Sequence, residues 1–123
     1  MLLEKKEETV RKTAIDLDRY DNDTSDLELQ RHSISSTNDG VVHAVFYAWL
    51  SDERKKQNHE NKFSMFQPFY AKDTVTKTVC GMKLRGKIMS VDCSYYDGDC
   101  HVLYVNFDKR SSKKFIEWKA KSA

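Results

Sequence analysis

The stretch Met82-Lys83-Leu84-Arg85-Gly86-Lys87-Ile88-Met89-Ser90-Val91-Asp92, with the turn Tyr96-Asp97-Gly98-Asp99 and the run Cys100 to Phe107 behind it, decides the fold. Met82, Leu84 and Ile88 alternate with Lys83, Arg85 and Lys87, and residues two apart share one face of a strand. The pattern predicts a strand with one apolar and one basic face. Beyond Gly86 the apolar positions become Met89 and Val91, so a bulge is expected between Gly86 and Met89, because one extra residue exchanges the faces. Asp97 and Gly98 tolerate positive φ and predict a hairpin turn. The returning strand sets Leu103, Val105 and Phe107 on one side.

Upstream, Thr74 to Cys80 alternates threonine and valine around one lysine and reads as a strand. Phe63 to Ala71 is rich in aromatics, but Pro68 has no N–H for a ladder, which predicts an edge or bulged strand. Ser51 to Asn61 is polar and reads mostly as loop, with a helical turn capped by Ser51 or Asp52. Val41 to Leu50 carries apolar residues at both alternating positions and predicts a central strand buried on both sides. Thr37-Asn38-Asp39-Gly40 is a turn, and Leu27 to Ile34 a strand before it. Leu3, Val10, Ala14 and Leu17 recur at helical spacing and predict a helix over residues 3–20. At the other end, Ser111 and Ser112 read as caps of a helix over Lys113–Lys121, anchored by Phe115 and Trp118.

These elements predict an α+β fold: a mainly antiparallel sheet, or small partly open barrel, of about five to six strands with an N-terminal and a C-terminal α-helix. A length of 123 residues suits one domain spanning residues 1–123. Charged residues make up 33% of the chain and aromatics 11%, which predicts an ordered core under a highly charged surface. The charge after Leu3 leaves no apolar stretch of secretory type. The longest apolar run, Val41 to Leu50, is half the roughly twenty residues of a bilayer span. A cytoplasmic protein without a membrane segment is expected. The three cysteines, Cys80, Cys93 and Cys100, are then expected as free thiols. A four-residue loop would set Cys93 across from Cys100, and a two-residue loop would set it across from Val102.

Charge is segregated along the chain. Residues 1–40 carry six basic and ten acidic side chains, and residues 109–123 carry six basic and one acidic. Lys83, Arg85 and Lys87, joined by Lys109, Arg110, Lys113 and Lys114, are the candidate anion-binding set, because alternate strand positions sit about 7 Å apart, near the spacing of phosphates. Phe66, Phe69 and Tyr70 are the candidate stacking or docking aromatics. Asp92, Asp97, Asp99 and His101 group carboxylates with an imidazole, but turn chemistry explains Asp97-Gly98. The spacing of Cys93, Cys100 and His101 lacks the two tight pairs of a structural zinc site. No catalytic residue, metal ligand or cofactor is assigned. The reading that follows is a small non-enzymatic binding protein with a protein partner: an inhibitor, adaptor or assembly subunit of phage, viral or mobile-element type. The alternatives are a DNA- or RNA-binding module on the basic residues, and a metal-dependent enzyme centred on Asp97, Asp99 and His101.

Overall fold

The computed structural model describes residues 13–21, 26–60 and 66–122. Its strands are β1 (Ile15–Asp16), β2 (Leu27–Ser36), β3 (Val42–Leu50), β4 (Thr74–Val79), β5 (Met82–Tyr95) and β6 (Cys100–Phe107). Its helices are α1 (Asp52–Glu60) and α2 (Lys109–Ser122), with 3-10 turns at Leu17–Tyr20 and Tyr96–Gly98. The strands hydrogen-bond in the order β1-β4-β5-β6-β3-β2. All pairs are antiparallel except β1 with β4, and the sheet curls into a half-barrel flanked by the two helices.

The inside of the curl is the core. Leu27, Val42, Phe46, Phe69, Leu84, Ile88 and Leu103 are fully buried there, and Leu17 closes it from the N-terminal side. Each such side chain contributes about 1.5–3 kcal/mol relative to exposure. The helix α2 sends Phe115 into the same core. Its first turn is also tied to two strands. Asp108 donates its backbone N–H to the Arg85 carbonyl, Ser111 Oγ accepts the N–H of Arg85 at 2.8 Å, and Ser112 Oγ accepts the N–H of Val42 at 2.9 Å. Those backbone donors would otherwise be left without partners where the sheet meets the helix.

Several expectations are corrected. The helix over 3–20 falls partly outside the described residues, and over 13–20 the chain instead forms β1 and a 3-10 turn. Tertiary contacts override the helical spacing there. The Asp18 carboxylate accepts from Thr78 N, Thr78 Oγ1, Lys77 Nζ and Lys83 Nζ at 2.6–3.0 Å, and Asp21 adds a second carboxylate to Lys77. Burial opposes the Asp18 charge, but the hydrogen bonds from Thr78 and the two lysines outweigh it and hold the carboxyl far below its usual range.

Phe66 to Tyr70 is irregular chain rather than a strand, and Phe63 to Met65 lie outside the described residues. Ser51 to Asn61 holds a two-turn helix where mostly loop was expected: Ser51 Oγ accepts the Arg54 N–H, and Asp26 pins Arg54 at 2.8–2.9 Å. Asp108, not Ser111 or Ser112, caps α2, with its carboxylate accepting from Ser111 N at 2.8 Å. That frees the two serines to bind the strands. Finally, β3 is buried on one face and only half-buried on the other.

The bulge in β5 falls between Ile88 and Ser90, close to its expected place. Before it, Gly86 stands opposite Phe107, where β6 runs into α2. A Cβ on Gly86 would come within 2.7 Å of Phe107 Cα and closer still to the Asn106 carbonyl oxygen. Backbone cannot give way there as a flexible side chain would. Gly86→Ala is expected to lose about 3 kcal/mol of stability. The check is a lowered urea midpoint at unchanged slope, and an unchanged midpoint would refute the packing account.

Candidate functional site

Strand register builds the outer face of the sheet row by row. Glu28, Trp49, Cys100 and Tyr95 lie side by side across β2, β3, β6 and β5. The next row is Gln30, Tyr47, Val102 and Asp92, and the third is Ser33, Val45, Tyr104 and Ser90. The fourth is Ser35, His43, Asn106, Lys87 and Thr74. Paired residues in an antiparallel ladder point to the same side, so these rows form one continuous surface.

The first two rows carry interlocked rings. His32, displaced by the β2 bulge, stacks on Tyr47 at 4.6 Å with a 14° interplanar angle. Tyr47 meets Tyr95 at 5.5 Å and Trp49 edge-on at 6.3 Å. Tyr96 meets both Trp49 and Tyr95 at 5.0 Å. Hydrogen bonding with Tyr95 raises the Tyr47 phenol above its usual range, which links the two rings at their polar ends. Cys100 and Val102 point to this face yet are buried, so the rings form a second apolar layer above them. Burial pushes the Cys100 thiol up to about 11 and so leaves it protonated at neutral pH.

The layer is incomplete. Tyr96 is 63% exposed, Met89 56%, Tyr104 43% and Tyr95 40%. The charged groups at this end are acidic: Glu28 beside Trp49, Asp92 beside Val102, and Asp97 in the turn after Tyr96. The Asp97 backbone takes φ +56°, which lifts its side chain into an exposed turn.

The basic residues gather at the far end of the same face, with one of them neutralised. Lys83 Nζ lies 3.0 Å from both the Asp16 and Asp18 carboxylates. Arg85 and Lys87 are exposed and have no ion pair among the described residues. The Arg85 backbone is bonded to the first turn of α2, which brings Lys109 and Arg110 to that end. Lys113 and Lys114 lie on the exposed side of the helix.

The expected aromatic trio does not assemble into one surface. Phe69 is buried in the core against Tyr20, Phe66 is half-buried beneath the Arg54 guanidinium at 4.2 Å, and Tyr70 is exposed. The aromatics that do assemble are Tyr47, Trp49, Tyr95 and Tyr96, with Tyr104 in the next row of the same face. Their signal in the sequence is the lack of any polar alternation across Val42–Leu50 and the Tyr-Tyr pair at the turn.

The residues of the metal reading also separate. Asp99 pairs with His59 at 3.0 Å, and Asp97 is exposed. His101 stands opposite Ala48 on the core side, fully buried, with no partner for either ring nitrogen among the described residues. Among the described residues no group of three His, Cys, Asp or Glu side chains is arranged to hold a metal ion. Cys80, Cys93 and Cys100 are free thiols, and Tyr95 rather than Cys93 faces Cys100. No described helix is long and apolar enough to cross a membrane.

Burial pushes the His101 pKa below its ordinary 6.5. The unfolded chain therefore takes up this proton first as pH falls. Stability present above pH 6.5 is lost below it, until the folded imidazole itself titrates. His101→Leu is expected to unfold with equal or greater free energy at pH 7 and to lose less of it between pH 6.5 and about 5. Urea titrations across that range check this, and a variant as acid-sensitive as the parent would contradict it. Comparisons of the chain with protein-family models, with curated proteins and with solved structures return no match.

Proposed function

We propose that this chain is a binding module that docks a protein partner on the outer face of its sheet, as an inhibitor, adaptor or assembly subunit. The observation that carries this is the interlocked, half-exposed layer of Tyr47, Trp49, Tyr95 and Tyr96. Tyrosine and tryptophan dominate the energetics of protein interfaces, because each buries a large area while ordering few torsions. Here the rings already hold one another, so less freedom is lost on binding. The acidic neighbours Glu28, Asp92 and Asp97 favour a protein over a nucleic acid at this end, since a phosphate backbone would be repelled.

A second reading rests on a different observation. The first six residues of α2 include Lys109, Arg110, Lys113 and Lys114. Cations at a helix N-terminus oppose the macrodipole, so helix stability alone does not account for them. With Arg85 and Lys87 they offer an anionic chain a track at the basic end.

Tyr96→Ser/Tyr104→Ser changes exposed rings and is expected to leave stability within about 1 kcal/mol. Each protein would be immobilised and exposed to nuclease-treated extract of the source organism. A protein held by the parent and weakened about tenfold or more in the variant is expected. Identical capture by both would sink the docking reading. For the second reading, oligonucleotide binding that falls steeply with salt and drops in Lys113→Glu/Lys114→Glu is the expected result. No binding at low salt would remove it.

A further inference from the structure

β5 is longer than its neighbour on one side. It pairs with β4 only over Met82 to Lys87. Lys72 N–H to the Ile88 carbonyl, and Ile88 N–H to the Asp73 carbonyl, extend the pairing by one residue. Beyond Ile88 the strand keeps β6 on one side and has no backbone partner among the described residues on the other. Register shifts at Ile88/Ser90 and Asp92/Tyr95 bracket the unpaired window. A depression of about 770 Å³ runs along it, lined by Ser90, Asp92, Cys93, Ser94, Asp97 and Gly98. Ser94 N–H donates to the Asp92 carboxylate at 2.9 Å, and the edge before it, from Met89 to Cys93, presents its outward backbone groups beside open space, which is what an added strand requires.

We infer that this edge receives an extended, cationic segment of the partner protein as a seventh strand, next to the aromatic layer. The inference rests on the proposed docking function and names the partner's contacting chemistry. Two observations select the occupant. The charged residues lining the depression, Asp92 and Asp97, are both acidic, and neither is paired with a lysine or arginine among the described residues. Lysine or arginine side chains at alternate positions of an incoming strand meet them and also reach the faces of Tyr95 and Tyr96. A second copy of this chain is disfavoured, because two-fold antiparallel pairing centred on the window sets Asp92 against Asp92. Of the two edge strands of the sheet, β1 is only two residues long, and β2 is broken by its bulge between Arg31 and Ser33 and carries a cation there.

The test uses the full chain and a blocked peptide alternating lysine and threonine, read by amide hydrogen exchange resolved at single residues. Saturable slowing of exchange within residues 90–94 is expected. Replacing the peptide's lysines by glutamates should weaken binding about tenfold or more, and N-methylating the peptide on one edge should abolish it while keeping its charge. Asp92→Asn/Asp97→Asn should weaken the lysine peptide without altering the exchange of the free protein's core strands. Slowing at residues 28–36 instead, equal binding of the glutamate peptide, or retained binding after N-methylation would each overturn the inference. So would slowing at 90–94 that appears with protein concentration alone, which assigns the edge to a second copy. If the peptide leaves 90–94 unchanged while the tyrosine variant still loses its captured protein, the edge inference fails and the docking function stands. If the peptide protects 90–94 while both proteins capture the same set, the reverse holds.

Discussion

The close approach of β5 to the junction of β6 and α2 at Gly86 governs the shape of the rest of the molecule. Only a residue without a side chain lets the Arg85–Lys87 backbone pass so near Asn106 and Phe107. That approach brings Arg85 within reach of Asp108 and Ser111, and Val42 within reach of Ser112. The first turn of α2 is thereby locked to two strands that are not neighbours in the sheet. From that anchor the helix reaches Phe115 into the core and closes the inside of the curl. A larger residue at position 86 would displace the helix start, and every contact downstream of it would have to move.

Closing the inside in this way leaves the outside without a covering layer among the described residues. The described helices spend their packing residues elsewhere: α2 on the core through Phe115, and α1, with no buried side chain of its own, on Asp26, Phe66 and Asp99. The outer face must therefore shield its own apolar residues, and the rings of Tyr47, Trp49, Tyr95 and Tyr96 do so over Cys100 and Val102. Self-shielding is incomplete, and a partly covered aromatic layer is a favourable place for a partner to finish the burial. Charge sorts along the same face. Carboxylates stand at the aromatic end, whereas Arg85 and Lys87 stand at the other, where Asp16 and Asp18 have already neutralised Lys83.

The fold was largely readable because strands announce themselves locally. The alternation in Met82–Ile88, the turn at Asp97-Gly98, the turn at Thr37–Gly40 and the threonine–valine run of β4 all describe elements that form where expected. Three of the failures share one cause. At 13–20, helical spacing lost to the four hydrogen bonds that Asp18 accepts from β4 and β5 residues. At Ser111 and Ser112, good capping chemistry was diverted to strand N–H groups far away in sequence. At Phe66–Tyr70, aromatic content suggested a strand, whereas Phe69 fills the core from an irregular segment. Each is a contact between residues distant in the chain, invisible to a window of neighbours.

The sequence by itself determined the class of the fold, the alternating faces of β5 and β6, the turns between strands and the segregation of charge. These follow from side-chain periodicity and backbone preference, which act over a few residues. Only the tertiary structure decided which aromatics share a surface, which lysine keeps its charge free, and where a strand edge stays open. Tyr47, Trp49 and Tyr95 become neighbours through the β3–β6–β5 register, Lys83 is neutralised by carboxylates some sixty-five residues away, and β5 outruns β4 because β4 begins only at Thr74, opposite Lys87. Those outcomes are set by which strands pair and how they are aligned, and pairing is a property of the whole chain rather than of any stretch of it.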